Sequence, residues 1–330
     1  MSATDTPAPP GPQLTGRGLG RFADRAFSFV LLGAGLSVLV ILGAIVLRTV
    51  IDAWPVFQYQ GFFQFLTGTE WRAGTARQGF EGTYGAFPVV YGTLFVAAIA
   101  VVLALPLAIA VSVYIVHYAP VRLRTSLSYV VEVLAAVPSI IFGLWGLLWF
   151  VPTLVQPVTN WFSRTFGFIP FFDGPVANVN YFHAGFVLAI MILPIITALT
   201  REIIAAAPLS EQEAAYGLGA TKWEVIRSVV LPRSFSGIVG ASMLGLGRAL
   251  GETIAVLMLV GGSQRFGFRL FFSGDTMAAH IAATFQDASP EAITALLGLG
   301  VVLFIVTMAV NMIARSIVWK FGFKATGDAI

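Results

Sequence analysis

The chain has 330 residues, of which 57% are apolar and only 11% are charged, and its mean hydropathy is +0.86. A soluble protein carries about 25% charged residues, so this composition excludes a soluble globular domain and indicates an integral membrane protein. The absence of cysteine excludes disulfides and a thiol nucleophile, and the formal net charge of +3 is better explained by membrane topology than by nucleic-acid binding.

Six apolar stretches are long enough to cross a bilayer as helices, which takes about 20 residues. They lie near residues 26–50, 87–116, 127–151, 183–200, 235–262 and 292–314. We therefore predict an all-α polytopic membrane protein with about six transmembrane helices. The first stretch is too long for the apolar part of a cleavable signal peptide, which spans about 7–15 residues.

The predicted organisation has five parts in chain order. They are a proline-rich disordered cytoplasmic tail (1–25), the first transmembrane helix (26–51), an external interfacial segment (52–86), a membrane core (87–318) that holds a cytoplasmic loop (201–234), and a second cytoplasmic tail (319–330). The orientation follows from the Lys and Arg residues, of which twelve fall in the segments on the side of both termini and six in the external segments. This bias predicts that both termini are cytoplasmic.

The external segments 52–86 and 152–182 are unusually rich in aromatic residues. Aromatic side chains at this density are typical of helices that lie at the membrane interface. They are also typical of a docking surface for a partner protein, and aromatic content alone does not separate these two interpretations.

The third apolar stretch contains Pro138 followed by Ser139. Because proline frees backbone carbonyls in a membrane helix, Ser139 either satisfies the broken helix or lines a polar path. The three histidines of the chain, His117, His183 and His280, are isolated and lack metal-ligand spacing, so we expect no metal site.

The loop at 201–234, called the coupling loop below, carries two helix-start signals. Ser210 precedes Glu213 by three residues and Thr221 precedes Glu224 by three, so each pair is a potential capping box. Gly219 falls where the first helix should end, at a position where a left-handed turn favours glycine. Two short helices joined by a sharp turn are therefore predicted.

Pro232 is expected to stop or redirect the second short helix before the next span, because proline lacks the amide donor. The stretch 213–232 resembles the cytoplasmic loop by which permease subunits of ABC importers dock onto their ATPases. The matching positions are Glu213, Ala214, Ala215, Gly219, Leu231 and Pro232. Val229 stands where that family usually carries Ile, which is a mild departure. A capped helical hairpin alone would also suit any other cytoplasmic loop.

The fifth apolar stretch is interrupted by Arg248 and Glu252. A charge near the bilayer centre costs about 2.5–3.5 kcal/mol, so these residues should face a bundle interior or an aqueous path. Their spacing of four predicts one helix face and a possible ion pair that only holds helices in register. Alternatively, the guanidinium fork of Arg248 suits a phosphate-like anion on a transport path.

The run from Ala241 to Val256 resembles the fifth span of the high-affinity phosphate ABC-importer permeases, C-type subunit of the Pst system. Further matches are 137–146 in the third span and 193–197 before the coupling loop. The resemblance covers about residues 25–318. It implies a type I ABC importer permease fold, with the core 87–318 as the permease core, located in the bacterial cytoplasmic membrane.

The same resemblance implies the partners and the site. The partners are a homologous A-type permease, two ATPase subunits and an external phosphate-binding protein. The substrate pathway is expected at Arg248, Glu252, Thr253 and Ser139, and the ATPase contact at the six matching positions of the coupling loop. The chain contains no Gly-x-x-x-x-Gly-Lys-Ser/Thr loop, so we expect no cofactor in it, no enzymatic activity, and ATP with magnesium bound by the partner ATPase.

Two other functions stay open at this point. An ABC permease for another oxyanion, such as sulfate or molybdate, would show the same coupling loop. An ATP-independent channel or an intramembrane enzyme belongs to a different class, and it would leave the pattern of residues 213–232 unexplained.

Overall fold

The computed structural model describes residues 19–72, 82–264 and 267–321. The elements are α1 Leu19–Gln60, α2 Phe62–Thr67, β1 Trp71–Arg72, β2 Thr83–Tyr84, α3 Phe87–Val113, α4 Val121–Ala135, α5 Ser139–Trp145, α6 Gln156–Phe166, α7 Tyr181–Ala205, α8 Leu209–Gly217, α9 Lys222–Val225, α10 Leu231–Gly251, α11 Ile254–Val260, α12 Met277–Thr284 and α13 Pro290–Phe321. π-Helical stretches extend α3 (Tyr114–Tyr118) and join α5 to α6 (Gly146–Val155) and α9 to α10 (Ile226–Val230).

Six helical runs in the described part of the chain are long and apolar enough to cross a bilayer, as the sequence predicted. They are Asp24–Gln60, Phe87–Tyr118, Ser139–Phe166, Tyr181–Ala205, Lys222–Gly251 and Pro290–Lys320. The third run differs most from its predicted bounds of 127–151. The chain breaks after α4 because the ring of Pro138 disfavours helical geometry at the residue before it, and an unbroken run then continues to Phe166.

The first helix is longer than predicted at both ends. It begins at Leu19, inside the predicted tail 1–25, and continues to Gln60, beyond the predicted end at residue 51. Residues 1–18 of that tail, residues 322–330 of the second predicted tail, and Phe80 of the external segment lie outside the described residues.

The contacts divide the chain into two compact units, 1–51 and 52–330. The second unit is organised around α7. The side chain of Ser112 in α3 donates to the Thr197 carbonyl of α7 over 3.0 Å, and α3 runs parallel to α7. Helix α10 runs antiparallel, since its Gly245 lies against Ile196 while its earlier Gly237 lies against Ile203. Residues on the inner faces of these helices, including Ile192 of α7 and Ala100 of α3, are fully buried.

The predicted external segment forms its own small core in the second unit. Phe65 and Tyr84 are fully buried beside Leu299 of α13. Trp71 pairs with Tyr84 in a two-stranded antiparallel ladder, and their rings meet edge to face with centroids 5.1 Å apart. Part of the segment is therefore a strand pair, where interfacial helix was predicted. Trp54, in contrast, is exposed.

Candidate functional site

In the structure α7 continues to Ala205, so the coupling loop begins only with α8, which carries three of the predicted contact residues. Glu213 and Ala214 are exposed, and Ala215 is half-buried. The helix ends before Gly219, whose φ of +87° places it in the left-handed region that glycine adopts without a Cβ penalty. The sharp turn predicted at this position is confirmed.

One of the two predicted capping boxes forms. The amide of Thr221 donates to Glu224 Oε2 over 2.7 Å, and the amide of Glu224 donates to Thr221 Oγ1 over 3.4 Å. The box predicted at Ser210 and Glu213 is wrong. The N-cap position is Pro208, two residues earlier than predicted, so Ser210 is already the second helical residue of α8 and cannot cap.

The prediction that Pro232 ends the second short helix is also wrong. Helix α9 continues without a break through the π-helical stretch into α10, and Pro232 lies at the start of α10 beside half-buried Leu231. The Leu231 amide donates to the Ile226 carbonyl, five residues back. This wider π register lies directly before Pro232, which lacks an amide donor, and the helix continues through Pro232 without stopping.

The coupling loop is anchored directly to two spans. Val225, Ile226 and Val230 are buried against Val113 of α3 and Ile204 of α7. A polar contact adds to this apolar core.

That polar contact comes from Lys222. Its ammonium donates to the carbonyl of His117 and lies 4.6 Å from the centre of the Tyr118 ring, a distance suited to a cation–π contact. His117 and Tyr118 belong to the π-helical end of the second span. The coupling loop is therefore joined to that span both by apolar packing and by Lys222.

The outer surface of the coupling loop is apolar as well as exposed. Leu218, at the turn, is 91% exposed, and Leu209, Tyr216 and Trp223 are also exposed. Exposed large apolar side chains that cluster on one loop are typical of a surface that binds another protein.

The predicted pathway residues lie at a break in the fifth span. Helix α10 ends at Gly251, and Glu252 has an extended conformation with ψ of 129°. The possible ion pair between Arg248 and Glu252 is not formed. Glu252 Oε1 instead accepts the Ala255 amide over 3.5 Å, at the start of α11, while Thr253 Oγ1 donates to the Gly251 carbonyl over 3.2 Å.

Arg248 is exposed on α10, and no ion pair joins it to an acidic residue within the described residues. It lies on a side of α10 that we call the open face. The open face comprises Gly240, Leu244, Gly247, Arg248 and Gly251. A methyl group built on any of its three glycines meets no atom of another described element within 4 Å, whereas the other side of the helix packs closely on α7.

A second break lies beside the first. Gly143 of α5 packs against Ala255, and Gly146 packs against Leu259, so α5 and α11 run parallel. Their first residues therefore lie at the same end of the pair. Half-buried Ser139, at the start of α5, is placed next to the break at Glu252 and Thr253. Two interrupted helices thus meet within the span region, an arrangement used by membrane transporters to present polar backbone groups to a solute.

Sequence reasoning missed one cluster of charged residues near the coupling loop. Arg201 of α7 contacts Glu132 of α4 over 3.2 Å and Glu202 over 3.8 Å. Arg124 of α4 donates to the Val116 carbonyl over 2.7 Å. No local motif could have found the contact between Arg201 and Glu132, because these residues lie 69 positions apart in the chain.

Comparison with known proteins gives the family. Residues 104–319 match the family described as the inner membrane component of binding-protein-dependent transport systems. The chain is 40% identical over 306 residues to the phosphate transport system permease protein PstC of Xylella fastidiosa (strain Temecula1), covering 92% of both chains. It is also 40% identical over 303 residues to PstC 2 of Mycobacterium tuberculosis (strain H37Rv), covering 90% of this chain and 92% of that one.

The fold agrees with this assignment. A chain of a bacterial alginate ABC transporter, solved in complex with its alginate-bound periplasmic protein, superimposes with a TM-score of 0.58 at 14% identity, covering 91% of this chain and 97% of that one. With its six apolar helices, this chain is a multi-pass inner membrane protein that has the type I ABC importer permease fold and belongs to the PstC family of phosphate transport system permeases.

Proposed function

We propose that this chain is one permease subunit of an ATP-driven importer of inorganic phosphate and forms half of the translocation pathway. The observation that carries the proposal is the 40% identity over 92% of both chains to a phosphate transport permease. In the same proposal, both termini lie on the cytoplasmic side together with the coupling loop, as the distribution of Lys and Arg predicts.

The open face of α10 supports the assignment of the pathway to Arg248. Its guanidinium presents a planar fork that binds two oxygens of a phosphate at once and keeps its charge at any physiological pH. Because Glu252 bonds to the Ala255 amide, Arg248 does not have to break an ion pair within this chain before it contacts the anion. The adjoining glycines leave room for a solute or a second permease subunit to approach the backbone.

Thr253 and Ser139 have supporting roles in this pathway. Both lie at the juxtaposed helix breaks, where hydroxyls and free backbone amides replace part of the hydration shell of an anion. Glu252 holds the start of α11 by accepting the Ala255 amide, so it fixes the geometry of the break. The guanidinium of Arg248 then binds the solute without Glu252 as a competing partner.

The coupling loop supports the proposed energy source. Its apolar outer surface around Leu218 would dock onto a cytoplasmic ATPase subunit, and Lys222 with the buried core beneath would pass the movement to the second and fourth spans. Two such ATPase subunits would bind ATP and magnesium and carry out the hydrolysis. The remaining partners are a homologous A-type permease and an external phosphate-binding protein. ATP-driven closure of the ATPases would rock the spans between inward-open and outward-open states.

The test is ATP-driven uptake of labelled phosphate by proteoliposomes that contain the complete transporter. We expect phosphate to saturate uptake, sulfate and molybdate to compete weakly, and Arg248→Lys to reduce uptake strongly because lysine keeps the charge and loses the fork. If sulfate or molybdate inhibits uptake and unlabelled phosphate does not, the chain is a permease for that other oxyanion. Uptake without ATP would place the protein among channels.

A further inference from the structure

A cavity of about 480 Å³ lies near the coupling loop, between α4, the end of α7 and the π-helical end of the second span. This volume falls in the range of about 300–1,000 Å³ that is usual for small-molecule sites. The cavity shares no residue with the helix breaks around Arg248 and Ser139. Ala205 in its wall is the last residue of α7, and the neighbouring Ile204 packs under the coupling loop.

Two arginines from different helices reach this cavity. Arg124 of α4 is held through Nη2, which donates to the Val116 carbonyl over 2.7 Å. Arg201 of α7 is fixed in the wall with its side chain only 17% exposed, and both of its carboxylate contacts use the single atom Nη2. Because a guanidinium has five N–H donors, each arginine keeps several donors for a ligand.

The two carboxylates beside Arg201 are more exposed to solvent than the arginine itself. The side chains of Glu132 and Glu202 are 52% and 70% exposed, and their distances to Arg201 Nη2 are 3.2 Å and 3.8 Å. Because both carboxylates are solvent-exposed, water solvates them once an incoming anion has displaced them from Arg201. Thr125, Ser128 and Tyr129 also line the cavity. The Ser128 hydroxyl already donates to the Arg124 carbonyl over 2.8 Å, so Thr125 and Tyr129 are the neutral donors for a ligand.

We propose that this cavity is a second oxyanion site, which binds a phosphate group between Arg124 and Arg201 in competition with Glu132. The phosphate group belongs either to inorganic phosphate or to the headgroup of an anionic lipid, and both present the same oxygens to the two guanidiniums. Occupancy would separate Glu132 from Arg201 and loosen α4 from α7. The site would therefore report the phosphate or lipid level on the coupling-loop side to the helix that leads into that loop.

The binding test uses the full chain in nanodiscs of phosphatidylcholine, in an Arg248→Gln background that removes the proposed pathway contact. With radiolabelled inorganic phosphate, Arg124→Gln and Arg201→Gln should each lower the affinity about tenfold, as expected for loss of a charged hydrogen-bonding partner. Glu132→Gln should raise the affinity because it removes the competing carboxylate. Arg122→Gln is the matched control, since Arg122 lies on the same helix but does not line the cavity.

A parallel arm uses nanodiscs that contain phosphatidylglycerol, with native mass spectrometry of retained lipid. If the lipid headgroup is the ligand, the lipid is retained by the parent protein and lost from the Arg124→Gln and Arg201→Gln variants, and inorganic phosphate does not displace it. Arg201→Lys distinguishes misfolding from a lost contact, because it should keep the fold and still bind more weakly.

The proposal is overturned if neither phosphate nor phosphatidylglycerol binding depends on Arg124 and Arg201. It is equally overturned if Glu132→Gln weakens binding as Arg201→Gln does, because the ion pair would then only hold the helices together. None of these outcomes depends on transport, so failure of the pathway proposal would leave this measurement interpretable.

Discussion

Two glycines of α10 allow separate tests of the packing inside this subunit and of the role proposed for the open face. A methyl group added at Gly245 would lie 2.6 Å from Ile196 Cγ1 and 2.7 Å from Cδ1, and Ile196 is fully buried in the core of α7. The same methyl group at Gly247 meets no other part of the described chain within 4 Å. The perturbation is therefore Gly245→Ala, with Gly247→Ala as its matched partner two residues away.

Both changes place alanine inside the same helix, so the gain in helix propensity of about 1 kcal/mol is common to the two variants. The difference in stability between the two variants is then the cost of overpacking at Gly245, because buried Ile196 cannot move aside without displacing its neighbours. Overpacking a filled core costs about 1–3 kcal/mol. We therefore expect Gly245→Ala to be less stable than Gly247→Ala by about 1–3 kcal/mol.

The assay is the denaturation of the full chain in detergent micelles, measured for both variants under identical conditions. For phosphate uptake by the assembled transporter, we expect Gly247→Ala to be the more harmful of the two variants. It should reduce uptake without lowering the stability of the chain, because the open face is where a solute or a second permease subunit would approach. Equal stabilities of the two variants would refute the packing argument, and unchanged uptake by Gly247→Ala would refute the role of the open face.

Three further changes test other contacts. Thr221→Ala removes the capping box and should cost about 0.5–2 kcal/mol of local helix stability, which we expect to appear as weaker binding of the ATPase in pull-down titrations. Lys222→Met removes the contact with the second span and should lower phosphate uptake per ATP hydrolysed, measured in proteoliposomes. Gly92→Ala places a methyl group 1.9 Å from the backbone oxygen of Asp275, so membrane expression should fall sharply, since a backbone atom cannot move aside cheaply.

The controls for these changes come from the same segments. Thr221→Ser keeps a capping hydroxyl and should bind the ATPase normally, so equal weakening by serine and alanine would rule out the cap as the cause. Arg227→Met removes an exposed cation of the coupling loop and should leave the coupling ratio unchanged. A stable, fully expressed Gly92→Ala protein would show that α3 does not approach Asp275 as closely as described.

The long-range pattern of the fold was predictable because it depends on composition. Six apolar stretches of about 20 residues predict six spans, because few structures other than an apolar helix can cross a bilayer. The turn at Gly219 and the cap at Thr221 were predictable too, since each depends on residues within one helical turn.

The errors arise where a neighbouring residue changes a helix boundary. Pro208 takes the N-cap position two residues before Ser210, which removes the cap predicted there. A π register precedes Pro232, through which the helix continues, and the end of α10 at Gly251 lets the Glu252 carboxylate bond to the Ala255 amide in place of Arg248. The two adjacent breaks and the cavity around Arg201 depend on contacts between distant segments, which no local pattern encodes.

The most direct test of the central claim is ATP-driven phosphate uptake by the complete reconstituted transporter, compared between the parent protein, Arg248→Lys, and a variant with residues 213–219 scrambled. We predict that the parent accumulates phosphate, that Arg248→Lys retains ATPase binding but loses most uptake, and that the scrambled variant loses both. Full uptake by the scrambled variant, or an unchanged phosphate affinity and rate with lysine at position 248, would contradict the account.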